Sequence, residues 1–466
     1  MTQPGVTSRA AQALRLVLVA GFLFLLAASL PGHLSYDSIA QLHEGRAHVR
    51  ETWGPAMYAW LLGAFDAIVP GTGLYVAVSA LVLLGALMGL RTLRPRTAWL
   101  AVAVAAALVL TPQVMVYQAI VWKDVMFANC AVAGFVCLAH AAQRWDDRRL
   151  RWAALVAAML FLAMGALVRQ NGALAIPFAA LALGWTARRD GWKRALAWGA
   201  GGLVVTLAVM KLLGMAVEPP SPDADPAIGR GVRIVAQYDI IGAVAHAPGL
   251  PLERVRAADP KVEAVIRHAA AGVYSAERVD TLDRAPETNL MWTLPDAVLI
   301  GQWRDIILHH PGAYLAHRLD VFRWLAAPPA VDRCLPLYIG INGPDNLVKD
   351  LRLAAGDEPQ DLQLYNYGTW FFDTPAYSHL TYLAICVLVL AGTLWRRDPA
   401  DWVVAAMMAS ALAFTASFLV ISIACDYRYL YFLDIAAMAG ALYMALDPPW
   451  GRRRDVARGG GAAPPV

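Results

Sequence analysis

The chain is short of charge and of cysteine. Only 16% of its 466 residues are charged and five are cysteines, whereas a soluble domain is nearer a quarter charged. The long polar stretch in its second half has almost no strand-like alternation of apolar and polar residues. Hydrophobic residues make up 59% of the chain, and the mean hydropathy is +0.48. These values exclude an ordinary soluble domain and predict an all-α integral membrane protein.

Long apolar runs recur along the sequence. A helix needs about 20 apolar residues to cross the hydrocarbon core of a bilayer. About ten transmembrane helices are therefore expected, near 13–32, 72–91, 98–116, 121–141, 152–168, 171–187, 195–215, 377–395, 401–423 and 429–446. A further apolar run, 55–70, is shorter and is interrupted by Asp66, so we expect an interfacial or re-entrant helix there.

The net charge is only +4, and the basic residues cluster in the short loops and at the ends of the apolar runs. Such a distribution indicates no nucleic-acid partner. Cytoplasmic loops of membrane proteins are enriched in Arg and Lys, and placing every cluster on that side gives a consistent topology. We therefore predict a multi-pass protein of the inner (plasma) membrane with both termini in the cytoplasm. A cleaved signal peptide ending near Ala27-Ala28-Ser29 stays open as an alternative.

This topology divides the chain into four parts. Residues 1–215 form an N-terminal transmembrane bundle with a first outer loop at 33–71. Residues 216–376 form a mostly helical extracytoplasmic insert, and 377–450 form a C-terminal transmembrane bundle. The tail 451–466 is predicted to be disordered and cytoplasmic. Cys334 and Cys425 both fall on the outer side and could pair, although an odd, scattered set of cysteines is a weak disulfide signal.

Charged residues converge on the predicted outer face. A charge near the hydrocarbon edge costs free energy, so its presence there favours a functional role. Asp37 follows the first span and could act as a general base. It could equally be the N-cap of the helix that follows. Gln41, one helical turn later, is a candidate substrate-binding residue.

Two further groups lie at the outer ends of other spans. Lys123 could hold a phosphate, and Asp124 could position that lysine or a substrate. Lys123 could instead reach into the lipid head groups. An arginine fork suits a phosphate or carboxylate, which makes Arg169 and Arg428 donor-binding candidates. Lipid head groups and an aromatic belt are their plainer explanations. Asn171 and Tyr429, beside these arginines, are candidate substrate-binding residues.

In their order and sidedness, these motifs resemble those of the polytopic GT-C glycosyltransferases. The likeness is to bacterial members related to the protein mannosyltransferase and aminoarabinose transferase group. The matching pieces are Tyr36-Asp37-Ser38, Trp122-Lys123-Asp124, Arg169-Gln170-Asn171-Gly172, His310-Pro311-Gly312-Ala313-Tyr314-Leu315 and Tyr427-Arg428-Tyr429-Leu430.

The resemblance implies an enzyme with its active site on the outer face. It implies a polyprenyl-phosphate-linked sugar as donor and inverting transfer to a lipid, glycan or protein acceptor. Asp37 and Asp124 would then be the catalytic carboxylates, and Lys123, Arg169 and Arg428 would bind the donor phosphate. Many family members have a second acidic residue where Ser38 stands here. No cofactor is required by the sequence, and a divalent cation stays an open alternative.

Two other functions fit parts of the sequence. A glycan ligase using a lipid-linked carrier would place His309, His310 and Arg318 of the insert at its centre. A transporter or flippase for lipid-linked sugars would need charged residues deep within the spans. Lys211 and Asp434 are the clear cases of that kind, and their scarcity favours an enzyme.

Overall fold

A computed structural model describes residues 8–52, 54–217, 229–354 and 359–448. Within these ranges the regular structure is entirely helical. Pairing between extended segments is limited to three isolated bridges, such as the one between His33 and Ile120. The predicted all-α class is therefore confirmed. The predicted cytoplasmic tail 451–466 lies outside the described residues.

The N-terminal part contains ten α-helices within its described residues. They are α1 Arg9–Ser29, α2 Tyr36–Ala47, α3 Ala56–Ile68, α4 Gly73–Thr92, α5 Trp99–Val109, α6 Pro112–Met115, α7 Lys123–Gln143, α8 Arg148–Val168, α9 Ala175–Ala187 and α10 Trp192–Gly214. Short 3₁₀ turns at Tyr117–Ala119, Gly172–Leu174 and Arg188–Asp190 connect them. Helix α7 is buried along most of its length and forms the centre of this bundle.

The insert is mostly helical, as predicted. Its α-helices are α11 Arg230–His246, α12 Glu253–Ala258, α13 Pro260–Val265, α14 Ala271–Val273, α15 Asp296–His309, α16 Pro311–Ala326, α17 Asp345–Asp350 and α18 Pro359–Thr369. A π-turn at Ile266–Ala270 and 3₁₀ turns at Val279–Arg284, Pro286–Thr293, Val331–Cys334 and Pro375–Tyr377 complete it. The break expected at Pro311 separates α15 from α16, because proline lacks the backbone N–H that would continue the helix.

The C-terminal part consists of α19 His379–Arg396, α20 Pro399–Ile421, a 3₁₀ turn Tyr427–Leu430 and α21 Tyr431–Leu446. Like α7, helix α21 is buried on nearly all sides. The faces of α10 and α19 that point away from the helix bundle are apolar and exposed. Leu388 and Trp395 on α19 are 71% and 73% exposed, as expected of helices that face lipid.

Among the described helices, eight are long and apolar enough to cross a membrane: α1, α4, α7, α8, α10, α19, α20 and the combined stretch Tyr427–Leu446. A ninth span would be α5 together with the helical residues Pro112–Ala119, which are bent by 60° relative to α5. Pro112 begins a new helix there, because proline is accepted in a first turn but interrupts a helix interior. The count therefore falls short of the expected ten.

The missing span is the one expected at 171–187. Its helix, α9, contains 13 residues, or about 20 Å at 1.5 Å per residue, which is shorter than the hydrocarbon core of about 30 Å. Helix α3, within the run predicted to be interfacial or re-entrant, also contains 13 residues. Its length agrees with that prediction, and its position relative to a membrane stays a prediction.

Candidate active site

Asp37 lies in the first turn of α2, where a carboxylate is favoured by the positive end of the helix dipole. The helix begins at Tyr36 and its N-cap is Ser35. The alternative that Asp37 caps this helix is therefore wrong. The side chain of Asp37 is 44% exposed, so an incoming molecule can reach it.

Helix α2 is held in place by an unusually close crossing with α3. A Cβ atom added at Gly45 would lie 2.0 Å from the carbonyl oxygen of Ala59, so only glycine fits there. Beside the crossing, Arg46 of α2 donates to both carboxylate oxygens of Asp66 at 2.5 and 2.8 Å. This ion pair explains why Asp66 interrupts the apolar sequence of α3, and it fixes the helix that carries Asp37.

Arg428 connects Asp37 to a second carboxylate. One guanidinium nitrogen lies 2.8 Å from Asp37 Oδ2 and 3.2 Å from Asp426 Oδ2. The same guanidinium lies over the ring of Trp122, 4.8 Å from its centroid. The turn Tyr427–Leu430 therefore brings the C-terminal helical part into contact with the first turn of α2. The sequence assigned no role to Asp426, although it is two residues before Arg428.

These contacts keep the Asp37 carboxylate ionised. Burial by itself raises the pKa of Asp37. The positive charges of Arg428 and Lys123, together with the hydrogen bond from Arg428, outweigh burial and lower the pKa below its usual value of 3.8. At neutral pH the group is therefore a carboxylate that can accept a proton.

Lys123 is the first residue of α7 and is the least committed cation in the cluster. Among the described residues, no carboxylate oxygen lies within ion-pair distance of its ammonium group, yet it is close enough to Asp37, Arg428 and Arg169 to be affected by their charges. A lysine that approaches both a carboxylate and other cations without pairing is a good candidate for holding an anionic group.

Asp124 and Arg169 form a buried ion pair with each other. Their side chains are only 1% and 6% exposed. The Arg169 guanidinium also lies 5.2 Å from the ring centroid of Phe414 and 5.8 Å from that of Tyr429. Each charge thus has a partner within the protein, unlike the ammonium of Lys123. In this geometry the pair connects α7 to the turn after α8.

That turn corresponds to the Arg169-Gln170-Asn171-Gly172 sequence. Arg169 Nε donates to Asn171 Oδ1 at 2.9 Å, and Asn171 Nδ2 donates to Ser417 Oγ of α20 at 3.3 Å. A Cβ atom at Gly172 would lie 2.7 Å from the carbonyl oxygen of Gly165. A side chain there would push the turn away from α8, so glycine lets Arg169 reach Asp124.

The structure thus brings together most of the residues that the sequence singled out. Asp37, Lys123 and Arg428 form the accessible part of the cluster. Asp124 and Arg169 form its buried support, and the half-buried Asn171 and Tyr429 lie beside Arg169. Gln41 is buried one turn after Asp37, next to Gly54, on the inner side of the same helix. The catalytic and binding roles assigned to these residues stay predictions.

The insert covers the segment that precedes Arg428. The structure pairs Cys334 with Cys425, directly before Asp426. Two backbone hydrogen bonds, Val279 N to Ile423 O and Cys425 N to Glu277 O, attach the same segment to the insert at 2.8 and 2.7 Å. The sequence offered the pairing of Cys334 with Cys425 as a possibility, and the structure contains it. The two backbone hydrogen bonds could not be predicted, because they join residues that are far apart in the sequence.

Asp280 is the acidic residue that the insert adds near the cluster. Burial raises the pKa of Asp280, and the negative charge of Asp426 raises it further, with a smaller contribution from Asp37. Asp280 therefore belongs to the same electrostatic neighbourhood. Asp280 lies on a 3₁₀ turn, which gives no periodic signal in the sequence.

A second polar cluster lies inside the insert. The carboxylate of the fully buried Asp239 accepts from Trp303 Nε1 at 2.7 Å, and it contacts His317 Nε2 at 2.9 Å and Arg318 at 2.5 Å. Arg318 also donates to the carbonyl oxygen of Ser422 at 2.7 Å. This arrangement gives Arg318 a role in attaching the insert to the segment before Arg428, so nothing in its contacts favours the glycan-ligase alternative.

The deep charges that a transporter would need are also accounted for. Asp434 of α21 is fully buried and contacts His379 Nδ1 at 2.9 Å. Gln113 donates to the hydroxyl of Tyr427 at 2.6 Å, and Gln118 donates to that of Tyr431 at 2.7 Å. This layer of paired polar groups holds the turn that carries Arg428 against the bundle. Lys211 lies on the lipid-facing helix α10 and is exposed.

No group of three or more His, Cys, Asp or Glu side chains with metal-binding geometry occurs among the described residues. The carboxylates of Asp37 and Asp426 share one partner, which is the guanidinium group of Arg428.

No protein-family model matches the chain, and no curated protein matches it. Among solved structures, the chain is similar to the archaeal oligosaccharyltransferase AglB from Archaeoglobus fulgidus in complex with an inhibitory peptide and a dolichol-phosphate. The identity is 14%, the TM-score is 0.44, and the match covers 98% of this chain and 53% of that one. This chain therefore spans about half the length of the archaeal protein.

A second similarity is to ArnT from Cupriavidus metallidurans bound to undecaprenyl phosphate. The identity is 15%, the TM-score is 0.33, and the match covers 97% of this chain and 81% of that one.

Proposed function

We propose that the protein is a membrane glycosyltransferase that transfers a sugar from a polyprenyl-phosphate donor to an extracytoplasmic acceptor. The observation that carries this proposal is the accessible carboxylate of Asp37, 2.8 Å from Arg428 and beside a lysine that has no ion-pair partner among the described residues. An ionised base next to an uncommitted cation is what the transfer of a group from a phosphate requires.

The proposed reaction is a direct displacement with inversion at the anomeric carbon. The acceptor hydroxyl or amine attacks that carbon, and its proton moves to Asp37. The bond between the anomeric carbon and the phosphate oxygen breaks, and its electron pair leaves with the polyprenyl phosphate. A positioned general base contributes roughly 10²–10⁴ in rate, which is the size of effect that we assign to Asp37.

Lys123 and Arg428 are the proposed binding groups for the donor phosphate. As the leaving group departs, its negative charge grows, and cations already held in place stabilise that charge without reorganising. Arg169 contributes differently, because its charge is already paired with Asp124. We assign to Asp124 and Arg169 the role of positioning Lys123, the neighbour of Asp124 on α7.

The outer face of the membrane is the proposed location of the site. The arginine clusters lie at the helix ends away from Asp37 and Lys123, and the positive-inside rule favours a cytoplasmic location for them. The disulfide between Cys334 and Cys425 supports the same side, because disulfides persist in oxidising compartments and are rare in the cytosol.

A transport assay beside a transfer assay tests the proposal. Membrane vesicles containing the full chain are incubated with radiolabelled polyprenyl-phosphate sugars, and both release of polyprenyl phosphate and movement of labelled lipid across the bilayer are measured. The proposal predicts release that depends on Asp37 and movement that does not differ from empty vesicles. Lipid movement without release would instead favour the flippase alternative.

A further inference from the structure

A groove lies where α9 ends and α20 begins, at the side of the bundle opposite Asp37, Lys123 and Arg428, which we call the Asp37 cluster. Its volume is about 590 Å³, and its lining includes three tryptophans and three arginines: Trp185, Trp192, Trp402, Arg188, Arg189 and Arg397. A cavity of this size falls within the range that holds small molecules or head groups. The proposed glycosyltransferase reaction makes no use of these residues.

The position of the groove follows from the helices that form it. Helix α20 begins at Pro399 in the groove. Its residue Ser417, which contacts Asn171, lies about 27 Å farther along the helix at 1.5 Å per residue. That length is close to the thickness of the hydrocarbon core. The groove and the Asp37 cluster therefore lie near opposite surfaces of the membrane.

The charged side chains that line the groove are arginines. Among the described residues, no carboxylate lines the groove, and none of its three arginines forms an ion pair. The acidic residues nearest in sequence have other partners. Asp190 accepts from Trp145 Nε1 at 3.2 Å, and Asp398 pairs with Arg94 at 2.8 Å. Arg189 donates to the carbonyl oxygen of Ala142 at 3.2 Å, and Arg397 Nε donates to that of Leu394 at 2.9 Å. These bonds use one N–H group of each guanidinium, and the positive charges at the groove are not neutralised by them.

The tryptophans give the groove an amphipathic wall. The rings of Trp185 and Trp402 pack with their centroids 4.7 Å apart, and the Arg188 guanidinium lies 3.8 Å over the Trp185 ring. Trp192 is 69% exposed. Tryptophan favours the boundary between head groups and acyl chains, whereas arginine binds phosphate through paired donors.

We propose that this groove binds the head group of an anionic phospholipid from the leaflet opposite the active site. The phosphodiester lies between Arg188 and Arg397, and the glycerol and upper acyl chains lie against Trp185 and Trp402. Two packed tryptophans beside arginines without carboxylate partners among the described residues fit a lipid better than a freely diffusing anion, which would use the charges but not the aromatic wall.

Lipid titration of the delipidated full-length protein, followed by native mass spectrometry, tests this site. The probes are phosphatidylglycerol and the zwitterionic phosphatidylcholine. Arg188→Gln/Arg397→Gln should weaken the binding of one phosphatidylglycerol molecule by on the order of fivefold for each arginine, which corresponds to about 1 kcal/mol per basic residue at a lipid surface. Phosphatidylcholine binding should be weak in the wild type and unchanged in the variant.

The matched control is Arg148→Gln/Arg149→Gln, which removes two exposed arginines from the same predicted face outside the groove. It should keep wild-type affinity for phosphatidylglycerol. Equal losses in the two double variants would overturn the proposal, as would equal retention of both lipids by the wild type. Displacement of phosphatidylglycerol by millimolar inorganic phosphate would assign the groove to a soluble anion and overturn the lipid assignment.

A second measurement applies if the double variant does not fold. Wild-type protein in bilayers is cross-linked with photoactivatable phosphatidylglycerol, and the labelled peptides are identified. Labelling of 185–192 or 397–402 above the level of the other interfacial loops supports the site. Labelling spread evenly over the membrane-facing surface would contradict it.

Discussion

Removing the positive charge of Arg169 should mainly lower the stability of the protein, whereas removing that of Lys123 should mainly weaken its binding of the donor phosphate. In Arg169→Gln, the carboxylate of Asp124, only 1% exposed, loses its partner inside the protein. Breaking a buried ion pair from one side costs about 3–5 kcal/mol, because an uncompensated charge remains. In Lys123→Gln no ion pair is broken, and repulsion from Arg428 and Arg169 is relieved. Its stability should stay within about 1 kcal/mol of the wild type.

Binding should show the reverse order. If Lys123 contacts the donor phosphate, Lys123→Gln removes a charge-assisted contact that is worth about 1.5–3 kcal/mol, or roughly tenfold to a hundredfold in affinity. Polyprenyl phosphate serves as the probe, with binding followed by calorimetry and stability by thermal unfolding in the same detergent. Folded Arg169→Gln protein should bind the probe more tightly than Lys123→Gln does.

The double variant Asp124→Asn/Arg169→Gln is the control for this argument. It removes both charges, and the two amides can hydrogen-bond to each other, so most of the lost stability should return. Such recovery is the signature of direct coupling between neighbouring residues. Wild-type stability in Arg169→Gln alone, or equal destabilisation in Lys123→Gln, would refute the division of the cluster into supporting and binding cations.

Three further predictions concern pH, the disulfide and the topology. Because Arg428 lowers the pKa of Asp37, Asp37 should stay an ionised base for transfer between about pH 8 and pH 5, which lies above the usual carboxyl pKa. In Arg428→Gln burial dominates and the pKa of Asp37 rises, so the acid limb of the pH–rate profile should move to higher pH. An unchanged acid limb in this variant would show that Arg428 does not control the ionisation of the catalytic base. The disulfide closes a sequence separation of 91 residues, so Cys334→Ser/Cys425→Ser should lower stability by up to about 4 kcal/mol in thermal unfolding without reductant, and equal unfolding temperatures would show that the pair is not formed. Cysteine at exposed position 261 should react with a membrane-impermeant reagent in intact cells and cysteine at position 149 should not, and the opposite pattern would place the insert in the cytoplasm.

The helical membrane class follows from composition, because apolar runs of this length have few other stable solutions. Asp37, Lys123, Arg169 and Arg428 could be singled out from sequence because each lies at the end of an apolar run, where a charge is costly. Their pairing could not be predicted. Asp124 and Arg169 are 45 residues apart, Asp37 and Arg428 are 391 apart, and such contacts leave no local periodic signal.

Errors in the sequence predictions arose where local geometry decided the outcome. The helix after the first span begins two residues earlier than its residue pattern indicated, so Ser35 rather than Asp37 is the cap and Asp37 contacts Arg428. Pro112 divides one predicted span into two helical pieces. The count of about ten spans stays a prediction, because α9 contains only 13 residues and the apolar character of a segment does not set the length of its helix.

The most direct test of the central claim is the transfer rate of Asp37→Asn, measured together with its affinity for polyprenyl phosphate. Asparagine keeps the size of the side chain and can accept a hydrogen bond from Arg428, but it cannot serve as the base. The variant should fold and bind the phosphate with affinity at least equal to that of the wild type, because a nearby negative charge is gone. Its transfer rate should fall by on the order of 10²–10⁴. Transfer at the wild-type rate in a folded Asp37→Asn protein would contradict the assignment of Asp37 as the catalytic base.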